Sequence, residues 1–443
     1  MGTEISLDIG GMSIDWSKNA RGADHGALFQ EADRKRLRSD QIDYEYFAES
    51  DEDPGQMEMA LTRPLRDVVA RLELLGFTLE AAKAEYLSAA EAQREDPDDA
   101  GDDESMRSRD LMSFEEFCAF ATAHPIQSLD DTFIRPRDDG NDDQIRGRFS
   151  DEGVTSRVPG FSPYDQKGYS ERSYFGQLVG IIHPYSLLRV LAGNSENLAA
   201  AIVWQYGPLV ENGYASESEF VPAARRTQTF LVATEGSSDA HILKHAFASL
   251  RPEVADFFRF IDVSERHPFP GTGNLLKFAE GLAKIDVQNQ LVFLFDNDVE
   301  GYETYQRLSC ISLPPNMRAM MLPELEAFRA FPAKGPEGVH PADINRRAAA
   351  IECYLDLRLE GYPPAQVVWT NYKPELATYH GMLEHKDTYT RAFLKQRPEA
   401  LATGRHDVSK IRAVLEAIIA ECTGIAMDVA RASVTCPQNP LHG

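Results

Sequence analysis

Apolar and polar residues alternate at the start of the chain, then fall into helical spacing, and after residue 229 switch repeatedly between the two patterns. Ile5-Ser6-Leu7-Asp8-Ile9 and Met12-Ser13-Ile14-Asp15-Trp16 each alternate, and Gly10-Gly11 between them suits a two-residue turn, so the chain opens as a β-hairpin. Leu65, Val68, Val69, Leu72 and Leu75 then share one helical face. After Gly76 a second helix starts near Thr78, a residue suited to the N-cap, which predicts an antiparallel helix pair. Ser113 and Glu116 have the spacing of a capping box opening a helix over 114–123. The stretch 135–167 is rich in Asp, Gly, Arg and Pro and has no period, which predicts an extended loop. Leu198, Ile202 and Val203 predict a helix over 196–204.

Near Ala223-Ala224-Arg225-Arg226-Thr227 the pattern shifts to strand, and a domain boundary is expected there. Phe230-Leu231-Val232-Ala233 reads as a strand, and a helix follows with Ile242, Leu243, Ala246, Phe247 and Leu250. Strand 257–261, helix 274–284, strand 291–295, helix 302–308 and strand 318–322 continue the alternation. Five apolar residues in succession, Leu291-Val292-Phe293-Leu294-Phe295, suit a strand covered on both faces. Strands joined by helices imply right-handed crossovers and a parallel sheet flanked by helices. Ile411, Val414, Leu415, Ile418 and Ile419 form the stripe of a closing helix after an Asp407 cap. The expected fold class is α/β: a mixed α+β, largely helical domain over 1–225, a parallel-sheet domain over 226–395, and a helical extension over 396–443.

A chain of 443 residues with 43% hydrophobic residues can bury more than one core. No apolar run of about 18 residues is present to span a bilayer, so no membrane association is expected. The opening residues lack the basic and apolar regions of a secretory signal, which makes the cytoplasm the expected location. Cys118, Cys310, Cys353, Cys422 and Cys436 are scattered, with no spacing of a disulfide framework or zinc site. The formal charge of −25 repels nucleic acid except where positive charge or metal ions gather locally. The densest acidic stretch is 91–110, read as a solvated loop, although an acidic run can also mimic nucleic acid or bind a basic partner.

Three strands end in acids: Glu235 and Asp239 after the first, Asp262 after the second, Asp296 and Asp298 after the third. Ligands of open parallel sheets bind beyond the carboxyl ends of strands, so these acids can meet despite their separation in sequence. Crowded carboxylates raise one another's proton affinity unless a cation neutralises them. Mg²⁺ takes oxygen ligands of this kind together with substrate phosphates and water, and Mn²⁺ can take its place. Gly236 and Gly301 suit tight strand-to-helix turns with close backbone approach to a phosphate. Asp239 has two readings, a helix N-cap and a metal ligand one turn after Glu235.

Glu235-Gly236-Ser237-Ser238-Asp239, Gly271-Thr272-Gly273-Asn274 and Phe295-Asp296-Asn297-Asp298-Val299-Glu300-Gly301 together resemble the Toprim domain, especially that of overcoming-lysogenization-defect nucleases. The resemblance implies a phosphodiester-cutting centre in which Glu235, Asp296 and Asp298 bind Mg²⁺, Glu235 also moving protons. It implies a later acid, matched by Glu352, and a lysine, matched by Lys386; each has the alternative of an ordinary surface residue. A lysine there would stabilise charge developing in the transition state. Ile5-Ser6-Leu7-Asp8-Ile9-Gly10-Gly11 and Leu74-Leu75-Gly76-Phe77-Thr78-Leu79 resemble the N-terminal domain that precedes HEPN or Toprim domains in bacterial proteins.

The resemblances imply a nuclease acting on DNA or RNA in anti-phage defence, with a regulatory or sensor protein as partner and the capacity to form a homo-oligomer. The alternative is a catalytically silent scaffold that holds a partner or a nucleic acid. No Gly-x-x-x-x-Gly-Lys-Ser/Thr loop accompanies the Toprim motifs, and no Arg-x4-6-His motif of HEPN ribonucleases is found, so neither ATP gating nor HEPN catalysis is expected within the chain. His241 and His245 have metal-ligand spacing on a helix, but the nearby acids favour a harder ion, and surface or supporting roles are expected. His267 is expected to be a loop residue.

Overall fold

The computed structural model describes residues 2–39, 42–50, 53–95, 110–135, 141–161, 168–261, 272–285 and 287–435. Asp262, His267, Gly271, Cys436 and most of the acidic stretch 91–110 lie outside the described residues. The chain forms two compact units, Met1–Ala224 and Arg225–Gly443. The architecture is mixed α/β, with one parallel sheet and several antiparallel pairings.

The first unit is built on strands β1 (Glu4–Ile9), β2 (Met12–Lys18), β3 (Arg34–Arg36), β4 (Met59–Pro64) and β5 (Ala201–Gln205), in the order β2-β1-β5-β4-β3. Neighbouring strands run antiparallel throughout. The β1–β2 hairpin turns at Gly10 and Gly11, whose φ values of 56° and 83° are the left-handed pair such a turn requires. Its longer helices are α1 (Leu65–Leu74), α2 (Leu79–Glu95), α3 (Phe114–Thr122), α4 (Glu171–Val179) and α5 (Pro184–Leu191). α1, α2 and α3 each pack on α5, so the expected helix pair is joined through a third helix. Ser113 and Glu116 close the capping box of α3 in both directions, at 3.2 and 2.8 Å.

Two sequence expectations are corrected here. Residues 201–205 form a strand, preceded by a 3-10 turn over Ser195–Ala199. Leu198, Ile202 and Val203 fit a helical period locally, but β5 inserts between β1 and β4, with Trp204 opposite both Leu7 and Leu61. Backbone pairing along both edges outweighs the weak local signal. The stretch 135–167 also carries structure, including short helices Asp142–Arg146 and Glu152–Thr155. Ile145, Phe149, Val158 and Phe161 are buried in the core of the unit, and these four sparse apolar residues anchor what composition alone suggests is loop.

The second unit begins with a four-stranded parallel sheet made of β6 (Phe230–Ala233), β7 (Phe258–Phe260), β8 (Gln290–Phe295) and β10 (Met317–Met321), in the order β10-β8-β6-β7. The short β9 (Asn297–Asp298) follows β8 directly. Helices α6 (Ser237–Leu250), α7 (Thr272–Lys284) and α8 (Val299–Ser309) connect the strands. Leu275, Ala279 and Leu308 from the helices share a core with Ala233, Leu291, Phe293, Phe295 and Met317 on one face. α10 (Ser409–Thr435) packs on β8 and β10. Arg318 of β10 points to it, bonding Glu421 at 3.2 Å and Asp428 at 2.6 Å. With both faces covered, β8 is buried over Leu291–Phe295, as its unbroken apolar run requires.

A second four-stranded sheet follows, which the sequence reading does not contain. Strands β11 (Phe331–Gly335), β12 (Gly338–Ala342), β14 (Val367–Lys373) and β15 (Thr378–Leu383) lie in the order β12-β11-β14-β15. Between them β13 (Ala348–Ala349) pairs with β9, and α9 (Lys386–Leu394) follows β15. Cys118, Cys310, Cys353 and Cys422 are free thiols. Among the described residues no helix is long and apolar enough to cross a membrane.

Glu171 at the start of α4 ties the 135–167 segment down. Its carboxylate accepts the backbone N–H groups of Asp130 at 2.9 Å and Arg148 at 2.8 Å, and the Arg148 Nε at 2.9 Å. Glu171→Ala leaves these donors unpaired, and urea unfolding is expected to show a loss of about 3 kcal/mol. A loss below about 0.5 kcal/mol would show that the segment is held by its apolar anchors alone.

Candidate metal centre

Strand register brings the acids together. β6 and β8 pair with Ala233 opposite Phe293, so Glu235, two residues beyond Ala233, reaches the level at which β8 ends and Asp296 begins. The Glu235 carboxylate accepts the Asp296 backbone N–H at 3.3 Å. Asp296 in turn accepts the Ile351 N–H at 3.2 Å, which draws the turn carrying Glu352 to the same place. That 3-10 turn, Ile351–Tyr354, buries Glu352 to 4% exposure.

Asn297, the middle residue of Asp296-x-Asp298, holds this arrangement. It is fully buried; its Nδ2 donates to Asn345 Oδ1 at 3.1 Å and to Tyr354 Oη at 3.2 Å, and its Oδ1 accepts the Arg346 N–H at 2.8 Å. The Tyr354 hydroxyl in turn donates to the Pro323 carbonyl at 2.7 Å. β9 pairs with β13 across the same point, Asn297 opposite Ala349 and Asp298 opposite Ala348. The two aspartates are thus fixed from between by a satisfied polar network.

Asp298 is the N-cap of α8, accepting the Gly301 N–H at 2.8 Å. Gly301 is required at its position, because a Cβ there would lie 2.2 Å from the Asp296 carbonyl oxygen. Gly236 is not under that constraint: the nearest atom to an added Cβ is an Asp239 oxygen at 3.4 Å, an ordinary contact. Asp239 is not the N-cap of α6. That place belongs to Gly236, and Asp239 reaches back from the third helical position to accept the Gly236 N–H at 2.9 Å and the Ser238 hydroxyl at 3.1 Å.

The acids share one electrostatic environment. Burial, reinforced by Asp298, Asp239 and Glu300, pushes Glu235 up to about 8. Burial and Glu352 push Asp239 up to about 6, with Lys386 opposing the shift. Asp296 lies well above the carboxylate range, first through burial and then through Asp239, Glu235, Asp298 and Glu352. Lys386, the first residue of α9, is therefore near enough to act on the same group.

The first unit matches the family model described as HEPN/Toprim N-terminal domain 1 over residues 1–228, just over half of the chain. The chain belongs to this family. No curated protein and no solved structure matches it. The HEPN/Toprim N-terminal domain ends before β6, so the acid cluster lies wholly in the sequence that follows it.

Downstream of that domain, the structure brings in two side chains that the sequence reading passes over. His380 Nε2 lies 3.4 Å from Asp298 Oδ2, and that contact raises its pKa. Lys373 lies 3.5 Å from Glu300 and 3.8 Å from Glu303. Both belong to the unpredicted second sheet, so no local signal marks them. His245, by contrast, stands edge-on to Phe393 with ring centroids 5.2 Å apart, and His241 is exposed on the same helix.

An all-oxygen set of mutually repelling carboxylates, buried at Asp239 and Glu352 and half-buried at Glu235, Asp296 and Asp298, suits a hard divalent cation. Glu235, Asp239, Asp296, Asp298 and Glu352 are the residues that would hold it. Among the described residues no three acids, histidines or cysteines converge at ligand spacing.

Raised carboxylate pKa values have a definite sign. Between the ordinary carboxylate range and about pH 8, the unfolded chain releases protons that Glu235 retains in the fold, so its contribution to stability falls as pH rises. Asp239 adds the same effect up to about pH 6. Asp296→Asn removes, at no cost in volume, a carboxyl whose proton affinity the fold raises. In EDTA the variant's melting temperature is expected to exceed that of the parent by a margin that widens from about pH 5 to about pH 8, and Mg²⁺ is expected to close it by raising the parent alone. An equal margin at every pH would show that the acids do not share this coupling.

Proposed function

We propose that the chain is a Mg²⁺-dependent nuclease that hydrolyses phosphodiester bonds in DNA or RNA through a Toprim-like centre, and that it serves as an effector of bacterial anti-phage defence under the control of a regulatory or sensor protein. The observation that carries this reading is the mutually repelling set of half-buried Glu235 and Asp296 beyond the ends of β6 and β8, with buried Asp239 from the first turn of α6 and buried Glu352 from the 3-10 turn Ile351–Tyr354. Its support includes a first unit whose family description places it N-terminal to HEPN or Toprim domains.

When bound, a divalent cation supplies polarisation of a phosphoryl oxygen and neutralisation of the acids around it. The protein does the rest. Asn297 and the β9–β13 pairing fix the direction of Asp296 and Asp298 before substrate arrives. Glu235, with a proton affinity near neutral pH, can accept a proton from the attacking water and return it. Lys386 brings positive charge to a site that otherwise repels phosphate, and His380 adds to it when protonated.

A silent scaffold is the second reading, favoured by the capping bonds that occupy Asp239 and Asp298 and by the spread of the acids. Asp296→Asn and Asp298→Asn separate the two. Each is expected to lower Mg²⁺-dependent cleavage of plasmid, single-stranded DNA or total RNA about a hundredfold or more while leaving the fold intact by circular dichroism. Full phage protection by both variants in cells would favour the scaffold. If the parent cuts none of these substrates with Mg²⁺ or Mn²⁺, alone or with the proteins encoded beside it, the nuclease reading fails.

A further inference from the structure

β14 and β15 form an antiparallel ribbon running from Val367 opposite Leu383 to Lys373 opposite Thr378, with an irregularity between Trp369 and Asn371. Alternation along the strands and this register give the ribbon two unlike faces. One turns toward the acids: His380 meets Asp298, and Lys373 meets Glu300 and Glu303. The other carries Trp369, Tyr372 and Tyr379. Trp369 lies across from Gly381, where a Cβ would come within 2.8 Å of its ring. Tyr372 lies opposite Tyr379.

The three rings form a row, with centroids 6.3 Å apart for Trp369 and Tyr379 and 4.9 Å apart for Tyr379 and Tyr372. Tyr372 and Tyr379 are 51% and 53% exposed. Single exposed aromatics are ordinary, but a contiguous row marks an interaction surface. Charge indicates what it meets. The chain has 70 Asp and Glu against 45 Lys and Arg, yet β11, β12, β14 and β15 contain no acid at all. Acids stand only beyond the strand ends: Glu337 and Glu375 in the hairpin turns, Asp343 after β12 and Glu384 after β15. In a strongly acidic protein, acid-free strands carrying two open tyrosine rings beside a half-buried Trp369 fit a polyanion that brings flat π-faces.

We propose that Trp369, Tyr372 and Tyr379 are a base-stacking platform for single-stranded nucleic acid, on the ribbon whose opposite face touches the metal-centre acids. Ring faces accept bases with little regard to sequence, and each stack is worth about 1–3 kcal/mol. The inference rests on the nuclease reading for its purpose, but binding is separable from cleavage.

The test uses the full-length protein in EDTA with fluorescein-labelled oligo-dT and oligo-rU of about a dozen nucleotides, read by anisotropy. Tyr372→Ala and Tyr379→Ala are each expected to weaken binding about five- to a hundredfold. Tyr372→Phe and Tyr379→Phe are expected to retain it, because stacking uses the ring and not the hydroxyl. Tyr214→Ala, which removes an exposed ring of the first unit, is expected to bind as the parent does, and because binding is read in EDTA a failed metal centre leaves this result standing. Three outcomes overturn the platform: no binding of either oligonucleotide by the parent, equal binding by the alanine variants, or self-association of the parent that the alanine variants abolish, which would make the face a contact between two copies. Circular dichroism and thermal melting of each variant confirm that its fold is retained.

Discussion

The second unit depends on holding like charges together in a poorly hydrated place. Asp296 feels Asp239, Glu235, Asp298 and Glu352 at once, and burial is the largest influence on it. Left to themselves, such groups would repel, take up protons or turn to solvent. Each is restrained by backbone donors instead: Glu235 by the Asp296 N–H, Asp296 by the Ile351 N–H, Asp239 by the Gly236 N–H and Asp298 by the Gly301 N–H. These bonds favour the charged forms, while burial and mutual repulsion favour the neutral ones. A site balanced in this way is set up to respond to an added cation.

Asn297 shows why the acids cannot be understood from their own strand alone. Its amide joins the end of β8 to Asn345, Arg346 and Tyr354, all contributed by the segment leading into β13 and the Glu352 turn. The second sheet adds to this, since Gly381 of β15 donates to the Arg347 carbonyl at 3.3 Å and His380 reaches Asp298. The region after the parallel sheet therefore completes the acid cluster.

What the sequence reveals follows the physics of each signal. β6 and β8 are legible because strands buried on both faces must be apolar throughout, and the acids are legible because they end those runs. The hairpin at Gly10 and Gly11 and the cap at Ser113 are legible because both are local geometry. β5 is not, since its identity comes from pairing with strands far away in the sequence. The segment 135–167 is misread for a related reason: Ile145, Phe149, Val158 and Phe161 are too sparse for a period, yet each meets a core assembled by other elements. β11, β12, β14 and β15 escape notice because half-exposed strands rich in Pro, Gly, Lys and His lack a clean alternation. With them went His380 and Lys373.

The distribution of charge follows from the same constraint. A chain at −25 cannot attract a polyanion as a whole, and its acid cluster repels phosphate most strongly just where chemistry would occur. Long-range attraction is then a poor means of bringing nucleic acid to the site. Contacts that depend little on net charge serve better: a cation shared between acids and phosphate, and ring faces that take bases by dispersion and stacking. The sheet beside the acids is suited to the second role because acids are excluded from its strands, while Lys373 and His380 are held on its inner face by Glu300, Glu303 and Asp298. The Lys373 pairs lower the negative charge that an approaching backbone would meet at Glu300 and Glu303 without creating a basic groove.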